Sequence, residues 1–279
     1  MVTRRQWLTD AIARLSEAGC EDAAFDARCL LEDLGGMPRG TAADDTPLSS
    51  EQAAALTTAL AERAAGRPLQ YILGAWDFLS LTLKVGEGVL IPRPDTELLC
   101  EAAAERLQGT PHPRVLDLCA GSGCVGLGVA SLTSDAVVTA VELSDEAWPY
   151  LAENVARYPA YDVTPRRGNV LTDYTAFDGV YDAILSNPPY IPTADLPALQ
   201  REVQREPKMA LDGSADGLQF YRVIAEHWCE KLAPNGFCAV EVGIGQAADV
   251  AALFAAAGLE NTEVLRDLGG VERMVIAQK

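Results

Sequence analysis

Two short segments carry residue types that suit chemistry on a planar nitrogen. Residues 187–190 read Asn-Pro-Pro-Tyr, and about seventy residues earlier positions 117–123 read Asp-Leu-Cys-Ala-Gly-Ser-Gly. The first segment combines a side-chain amide, two rigid prolines and a flat ring, whereas the second is a strand that runs into a glycine turn. Together, and in this order, the segments predict transfer of a methyl group from S-adenosylmethionine to a planar nitrogen.

The tetrapeptide offers two hydrogen-bond acceptors to an NH₂ group. An amide nitrogen is a poor nucleophile because its lone pair is delocalised, so catalysis has to orient the group toward the methyl donor. The side-chain carbonyl of Asn187 can accept one N–H, and the backbone carbonyl of Pro188 can accept the other. Pro188 and Pro189 fix the backbone, and the ring of Tyr190 offers a surface for stacking. We therefore assign catalysis to Asn187, Pro188 and Tyr190, and substrate binding to all four residues.

The residues before the tetrapeptide, 180–186, form a short apolar run that predicts a strand. Open α/β sheets bind ligands just past the carboxyl ends of their strands, and the motif would lie at such an end. The structural alternative is a strand-ending Pro-Pro turn with a capping Asn.

The glycine turn suits a nucleoside cofactor. Glycines let the backbone approach a ligand closely, and the helix predicted over residues 125–131 presents free N–H groups. Glu142 ends the next predicted strand, about twenty residues on, and is placed to accept hydrogen bonds from both ribose hydroxyls. These features fit NAD and S-adenosylmethionine equally; the expectation that the turn lacks the full G-x-G-x-x-G spacing, together with the Asn-Pro-Pro-Tyr segment, favours S-adenosylmethionine.

The composition describes a globular chain with a large acidic excess. The chain has 279 residues, 49% of them hydrophobic, and a formal net charge of −18. This charge argues against direct nucleic-acid binding through the general field, because phosphate neutralisation dominates that affinity. The acidic surface either favours a basic partner or only tunes solubility.

The cysteine and histidine content indicates a protein without a metal. The seven cysteines form no C-x-x-C pair, and His112 and His227 are the only two histidines, so no zinc-binding spacing occurs. We expect reduced thiols, a cytoplasmic location and a monomer. No apolar run approaches the length of a membrane span, so no membrane association is expected.

The apolar spacing predicts a helical beginning followed by alternating strands and helices. Helices are expected near residues 7–19, 22–34 and 49–65, the last opened by a capping box of Ser49 with Gln52. A short hairpin is expected within residues 78–85, and Asp95 is expected to cap a helix that ends near Leu107. Strands are expected near 115–120, 136–142, 162–168, 181–187, 236–242, 260–267 and 272–278, with helices between the first five and over 246–257.

This pattern predicts the α/β class. We expect a Rossmann-like, mostly parallel sheet of seven strands with an antiparallel hairpin at one edge, preceded by a small helical domain and a connecting β-hairpin. The expected domains are a helical substrate-recognition domain over residues 1–67, a hairpin linker over 68–90 and a catalytic domain over 91–279.

The chain resembles the protein-(glutamine-N5) methyltransferases of peptide chain release factors, the HemK or PrmC family. The resemblance spans almost the whole chain, and the segment 91–97, Ile-Pro-Arg-Pro-Asp-Thr-Glu, is among its most specific parts. It also rests on residues 68–74, 117–123, 187–191, 206–213 and 216–217. One departure is Cys119, which stands where the family often has glycine at the first position of the turn.

The resemblance implies a glutamine side chain as acceptor, in the Gly-Gly-Gln loop of a release factor. It implies that Glu142 holds the ribose, that Asn169 and Val170 flank the adenine, and that residues 187–190 hold the glutamine, with Asn187 also beside the cofactor. The cofactor turn it implies consists of Cys119, Ala120, Gly121, Ser122 and Gly123. Two other acceptors stay open, namely a ribosomal-protein glutamine and a nucleic-acid adenine.

Overall fold

Helices built on regularly spaced apolar residues open the chain, which a computed structural model describes over residues 2–279. They are α1 (Arg4–Glu17), α2 (Ala23–Leu34), α3 (Ser50–Ala64) and the short α4 (Leu69–Leu73). Helix α1 buries Trp7, Ala11 and Leu15, which recur every four residues and so lie on one face. Helix α3 begins as expected, because Ser49 and Gln52 form a reciprocal capping box.

These helices belong to a unit that also takes in a segment from much later in the chain. The unit comprises the residues up to Ala75 together with Gln200–Arg205. The buried Arg63 joins its parts, since its Nε lies 2.6 Å from Asp26 Oδ2 and its Nη1 lies 2.8 Å from Glu202 Oε1. Two carboxylates therefore neutralise this guanidinium, which is only 6% exposed.

A second unit comprises Trp76–Leu199 and Glu206–Lys279. A two-stranded sheet of β1 (Ala75–Phe78) and β2 (Leu81–Lys84) lies where the hairpin was expected. Helix α5 (Pro94–Arg106) follows, and the expectation that Asp95 caps it is wrong. Arg93 is the capping residue and Pro94 is the first helical residue, because its ring fixes a helical φ and its missing N–H needs no partner.

A seven-stranded sheet dominates the second unit. Its strands are β3 (Arg114–Leu118), β4 (Val137–Glu142), β5 (Asp162–Arg167), β6 (Tyr181–Ser186), β7 (Leu232–Glu241), β8 (Glu260–Arg266) and β9 (Glu272–Gln278). They lie side by side in the order β5-β4-β3-β6-β7-β9-β8. The first five are parallel, and β9 runs antiparallel to both β7 and β8. The expected fold class is confirmed, including the antiparallel edge.

Helices cover both faces of the sheet, because successive strand residues point to opposite faces. Val115 packs with apolar residues of α5, α6 (Cys124–Leu132) and α7 (Trp148–Arg157). The remaining short helices are α8 (Lys208–Leu211), α9 (Gln219–Val223) and α10 (Ala247–Ala256). Leu116 packs in the opposite cluster, which includes side chains from the segment that contains α9 and from α10.

The connection from β5 to β6 differs from the expectation of a helix. Its only helical part is a single 3₁₀ turn, Tyr174–Ala176. The chain instead packs the buried Phe177 against the backbone of Gly168, where an added Cβ would lie 2.7 Å from the ring. One well-placed aromatic therefore covers this part of the sheet, so no amphipathic helix is needed there.

The strand order reverses between β3 and β6, which are parallel neighbours. The chain leaves β3 toward β4 on one side and leaves β6 toward β7 on the other. Such a reversal opens a crevice at the carboxyl ends of the two strands, which is where open α/β sheets bind ligands. The glycine turn follows β3 and Asn187 follows β6, so both sequence motifs lie at this crevice.

Candidate active site

The turn after β3 has three residues in the left-handed backbone region. The φ angles are 63° at Cys119, 56° at Gly121 and 83° at Gly123. Glycine adopts this region freely, whereas a residue with a Cβ is strained there by about 1–2 kcal/mol. The backbone conformation explains why glycine suits the first position of the turn, and it makes Cys119 the strained member.

The glycines continue into α6 with the full spacing G-x-G-x-x-G, through Gly121, Gly123 and Gly126, so the expectation that this spacing is absent is wrong. A Cβ on Gly126 would lie 3.0 Å from Asp117 Oδ2 and 3.2 Å from Val138 Cγ1, so this glycine lets α6 pack closely on the sheet. Dinucleotide-binding folds use the same spacing, so the turn does not distinguish between nucleoside cofactors.

Glu142 at the end of β4 is fixed by two backbone amides. Its Oε2 accepts a hydrogen bond from the Gly121 N–H at 2.7 Å, and its Oε1 accepts one from the Ser144 N–H at 2.6 Å. Each carboxylate oxygen can accept a further bond, so Glu142 remains able to hold two hydroxyls. The carboxylate thus links the glycine turn to the loop after β4 and holds an acceptor at a defined place.

We predict that Glu142→Ala raises the Kd for S-adenosylmethionine roughly ten- to hundredfold without changing which acceptor is used. Each charge-assisted hydrogen bond contributes about 1.5–3 kcal/mol, part of which water would recover. Titration calorimetry measures the affinity. Asp145→Ala, which removes a carboxylate that is 95% exposed in the same loop, is the control and leaves the Kd unchanged. Unchanged affinity in Glu142→Ala would contradict the assignment.

A cavity of about 390 Å³ lies at the crevice. Among the residues assigned to the cofactor or the substrate from the sequence, those on the cavity wall are Cys119, Ala120, Gly121, Ser122, Glu142, Asn169, Val170, Asn187 and Pro189. Gly123, Pro188 and Tyr190 lie outside the set of lining residues. The volume falls within the range of small-molecule sites, about 300–1,000 Å³. The structure therefore gathers most of the residues assigned to the cofactor, together with Asn187, around one space.

Asn169 shapes the cavity wall through its backbone. Its side-chain Oδ1 accepts a hydrogen bond from the Leu171 N–H at 3.0 Å, and its own N–H donates to Asp173 Oδ2 at 2.8 Å. The next residue, Val170, is held by Trp228, whose Nε1–H donates to the Val170 carbonyl at 2.9 Å. These bonds fix the loop after β5 at the cavity wall, and the assignment of Asn169 and Val170 to the adenine stays a prediction.

The Asn187 amide is held by residues that the sequence motifs did not indicate. Its Nδ2 donates to Thr96 Oγ1 at 3.0 Å, and the Thr96 hydroxyl donates to Glu241 Oε2 at 2.5 Å. Thr96 belongs to the segment 91–97 that carries the family resemblance, but neither it nor Glu241 was assigned a role. No hydrogen bond from residues 2–279 reaches Asn187 Oδ1, so this acceptor is available at the cavity wall.

Tyr190 packs beside the cavity. Its carbonyl accepts a hydrogen bond from Gln246 Nε2 at 2.9 Å, and its hydroxyl lies 3.5 Å from Glu241 Oε1. A Cβ on Gly243 would lie 3.0 Å from the Tyr190 ring. These contacts place Tyr190 against the end of β7, so its stacking on a substrate stays a prediction.

A second buried carboxylate ties two segments of the cavity wall together. Glu206 is 6% exposed, and its Oε2 accepts a hydrogen bond from the Ile91 N–H at 3.0 Å. Its other oxygen pairs with the Arg93 guanidinium. Since Pro92 and Arg93 line the cavity beside Pro207, this pair holds the segments 91–97 and 206–213 in contact at one rim.

Asp117 lies fully buried under the glycine turn. Its Oδ2 accepts a hydrogen bond from the Gly126 N–H at 2.9 Å, and its Oδ1 has no partner among residues 2–279. Burial raises the pKa of this carboxyl from 3.8 to about 8; the Gly126 bond opposes the rise and Glu142 adds to it. The folded chain therefore retains a proton here at pH values where the unfolded chain has lost it.

We predict that Asp117→Asn flattens the pH dependence of stability. Because the folded pKa is raised, the wild-type free energy of unfolding falls as the pH rises from about 4 to about 8. The neutral amide removes this contribution. Urea unfolding at pH 5 and pH 9 measures both proteins, and the variant should lose less stability between the two. An equal loss in both proteins would contradict a buried, neutral Asp117.

Across residues 2–279 the structure has no group of three or more His, Cys, Asp or Glu side chains that could hold a metal ion. None of the helices in the same residues combines the length and apolar character that crossing a bilayer requires.

Sequence comparisons match the chain along nearly its whole length. The family model of the PrmC N-terminal domain matches residues 6–74, and that of conserved hypothetical protein 95 matches residues 71–214. A methyltransferase structure from Pyrococcus furiosus, 16% identical, matches with a TM-score of 0.52 over 83% of this chain and 99% of its own, which supports the fold alone.

Two curated relatives bear the same name, release factor glutamine methyltransferase. The protein from Geobacter sulfurreducens is 42% identical over 94% of this chain and 91% of its own length. The protein from Moorella thermoacetica is 38% identical over 100% of this chain and 99% of its own length. Identity at this level over almost complete chains, together with the PrmC N-terminal match, shows that the chain belongs to the release factor glutamine methyltransferase family.

Proposed function

We propose that the protein transfers a methyl group from S-adenosylmethionine to the side-chain amide nitrogen of the glutamine in the Gly-Gly-Gln motif of peptide chain release factors. The observation that carries the proposal is a pair of carbonyl oxygens after β6, one of which, Asn187 Oδ1, lies on the cavity wall. Asn187 Oδ1 and the Pro188 carbonyl accept no hydrogen bond from residues 2–279. Two fixed acceptors side by side match the two N–H groups of a primary amide.

The acceptors supply orientation, which is what an amide nitrogen lacks as a nucleophile. By accepting both N–H bonds, Asn187 and Pro188 would hold the NH₂ group so that its lone pair points toward the methyl donor. The two buried prolines restrict the backbone, so little freedom is lost when the substrate binds. No general base is needed at the nitrogen, since the proton can leave after the methyl group has been transferred.

The cavity fits S-adenosylmethionine by its donor and acceptor set. When bound, this cofactor supplies an electrophilic methyl group. Glu142 offers a fixed carboxylate for ribose hydroxyls, and the turn of residues 119–123 brings backbone close to the ligand. Asn169 and Val170 form the wall assigned to the adenine.

We further propose that the helical unit, including the predicted domain over residues 1–67, recognises the protein substrate. No residue of this unit lines the cavity. A part of an enzyme that carries no chemistry can contribute binding energy that positions the reacting group. The predicted hairpin linker and catalytic domain, residues 68–90 and 91–279, complete this division. A release factor substrate also agrees with the expected cytoplasmic location and with an enzyme that acts as a monomer.

A methyl-acceptor comparison tests the function. Full-length protein is incubated with labelled S-adenosylmethionine and one of three acceptors, namely a release factor, ribosomal protein or DNA. We expect label only in the release factor, located by mass spectrometry at the Gly-Gly-Gln glutamine and absent when that glutamine is replaced. Label in ribosomal protein or DNA instead would support one of the two alternative acceptors. The net charge of −18 argues against DNA.

A further inference from the structure

We propose that Thr96 and Glu241 are positioning residues that hold the Asn187 amide with its carbonyl oxygen toward the substrate nitrogen. The inference rests on the proposed function, because it concerns how that acceptor is oriented. A chain of hydrogen bonds runs from the cavity wall into the interior, from Asn187 through Thr96 to Glu241.

The direction of this chain follows from the chemistry at its inner end. An ionised carboxylate only accepts hydrogen bonds, so the Thr96 hydroxyl has to donate to Glu241. Its single proton is then used, and Thr96 Oγ1 can only accept from Asn187. The NH₂ group of the Asn187 amide therefore faces Thr96, and its carbonyl oxygen faces the cavity. The buried Glu241 carboxylate thus determines which end of the Asn187 amide faces the substrate.

Burial supports a specific role for the two residues. Thr96 is fully buried, at 0% exposure, and Glu241 is 4% exposed. A buried carboxylate is unfavourable unless it is paired. The two nearby guanidinium groups pair with other acids, Arg93 with Glu206 and Arg273 with Asp95 and Asp267. Glu241 is instead held by hydroxyl groups, which suits an acceptor that sets a hydrogen-bond direction.

Glu241 acts through Thr96 and does not reach the substrate itself. Thr96 and Asn187 line the cavity, whereas Glu241 lies behind them and outside the set of lining residues. Tyr190 contacts the second carboxylate oxygen at 3.5 Å, and the Tyr221 hydroxyl donates to the Glu241 backbone carbonyl at 2.8 Å. These contacts fix Glu241 at the end of β7, so Thr96 meets a rigid acceptor.

The orientation should depend on pH. Burial raises the pKa of Glu241 to about 7, and the Thr96 hydrogen bond opposes the rise. The titratable or charged groups around it are Arg93, Asp95, Cys124, Tyr190, Tyr221 and Arg273. Below this pKa the protonated acid can donate to Thr96, which can then donate to Asn187 and turn the amide over. The rate should therefore fall as the pH drops through about 7.

Full-length variants with intact release factor test the proposal through kcat and KM at pH 6–9. Thr96→Val removes the hydroxyl at nearly constant volume, and we expect kcat to fall about 10- to 100-fold, the effect typical of losing an outer-shell partner. Thr96→Ser should recover most of that loss. Glu241→Gln should lower kcat and remove its dependence on pH near 7. The KM for S-adenosylmethionine should stay unchanged in each variant.

Thr133→Val is the matched control. Thr133 is also buried, and its hydroxyl has no partner among residues 2–279, so the same change there should leave kcat unaltered. A second measurement does not depend on activity. The side-chain ¹⁵N resonance of Asn187, assigned by its loss in Asn187→Ala, should shift with a midpoint near pH 7 in the wild type and stay constant in Thr96→Val.

The outcomes separate the two proposals. Wild-type protein that fails to methylate release factor would overturn the proposed function, whatever the variants do. Active wild type with full kcat in Thr96→Val and Glu241→Gln would overturn only the positioning role. Equal losses in Thr96→Ser and Thr96→Val, or a parallel loss of Tm and cofactor affinity, would also overturn it, since those results indicate a structural contribution. An Asn187 side-chain resonance that does not shift with pH would also overturn the positioning role.

Discussion

Asn187→Ala should lower kcat on intact release factor by at least about a hundredfold while leaving the affinity for S-adenosylmethionine nearly unchanged. The variant removes the only side-chain carbonyl of the tetrapeptide, which the structure places on the cavity wall with its Oδ1 available. Losing a hydrogen bond that orients the reacting group typically raises the barrier by roughly 3–4 kcal/mol. Steady-state kinetics together with calorimetric titration of the cofactor measure the two effects separately.

Asn187→Asp should fail as well, although it keeps an acceptor at the same position. A carboxylate cannot donate to Thr96 Oγ1, which the Asn187 Nδ2 contacts at 3.0 Å, so the side chain loses its anchor. It also adds a negative charge near the buried Glu241. Turnover near the wild-type rate in either variant would contradict the assignment of Asn187, and loss of cofactor binding in Asn187→Ala would point to a structural role.

Removing residues 1–75, which supply all the α-helices of the helical unit, should have the next largest effect. A chain that begins at Trp76 should still bind S-adenosylmethionine, because every residue on the cavity wall lies in the second unit. Its kcat/KM on intact release factor should fall by roughly two orders of magnitude or more, since remote binding energy is what positions the glutamine. Comparing both chains on release factor and on a short Gly-Gly-Gln peptide measures the contribution of the helices.

Activity on the short peptide shows whether the helices recognise the release factor or only stabilise the fold. We expect the peptide to be a poor substrate for both chains and to lose little from the truncation. In the truncated chain Glu202 is replaced by Gln, because it would otherwise lack the Arg63 guanidinium that it contacts at 2.8 Å. If truncation lowers the two activities by the same factor, the helices stabilise the fold or the cofactor site and do not recognise the release factor.

The sequence predicted the main elements where local signals were strong. All seven strands of the large sheet lie near the positions expected for them, and the Ser49 capping box marked the start of α3. The same reasoning was wrong for the β5–β6 connection, because one aromatic residue, Phe177, packs there against Gly168 and Trp228, and a single residue has no periodic signature. It was also wrong for the cap of α5, where Pro94 begins the helix one residue before Asp95.

The hydrogen-bond chain behind Asn187 could not be predicted in this way. Thr96 lies 91 positions from Asn187 in sequence and 145 positions from Glu241, so no local pattern joins them. Strand order was needed to bring the ends of β6 and β7 beside α5. Glu241 ends an apolar strand, and a lone acid at the carboxyl end of a buried strand was the one signal that could have indicated it.

The pairing of Arg63 with Glu202 has a consequence for the order in which the protein is made. The two residues are 139 positions apart, so at a synthesis rate of about 5–20 residues per second the carboxylate emerges roughly 7–28 s after the guanidinium. During that interval Asp26 is the only one of the two carboxylates beside Arg63 that has been synthesised. On a translating ribosome, Glu202 therefore becomes available to Arg63 only after four strands of the large sheet have left the exit tunnel.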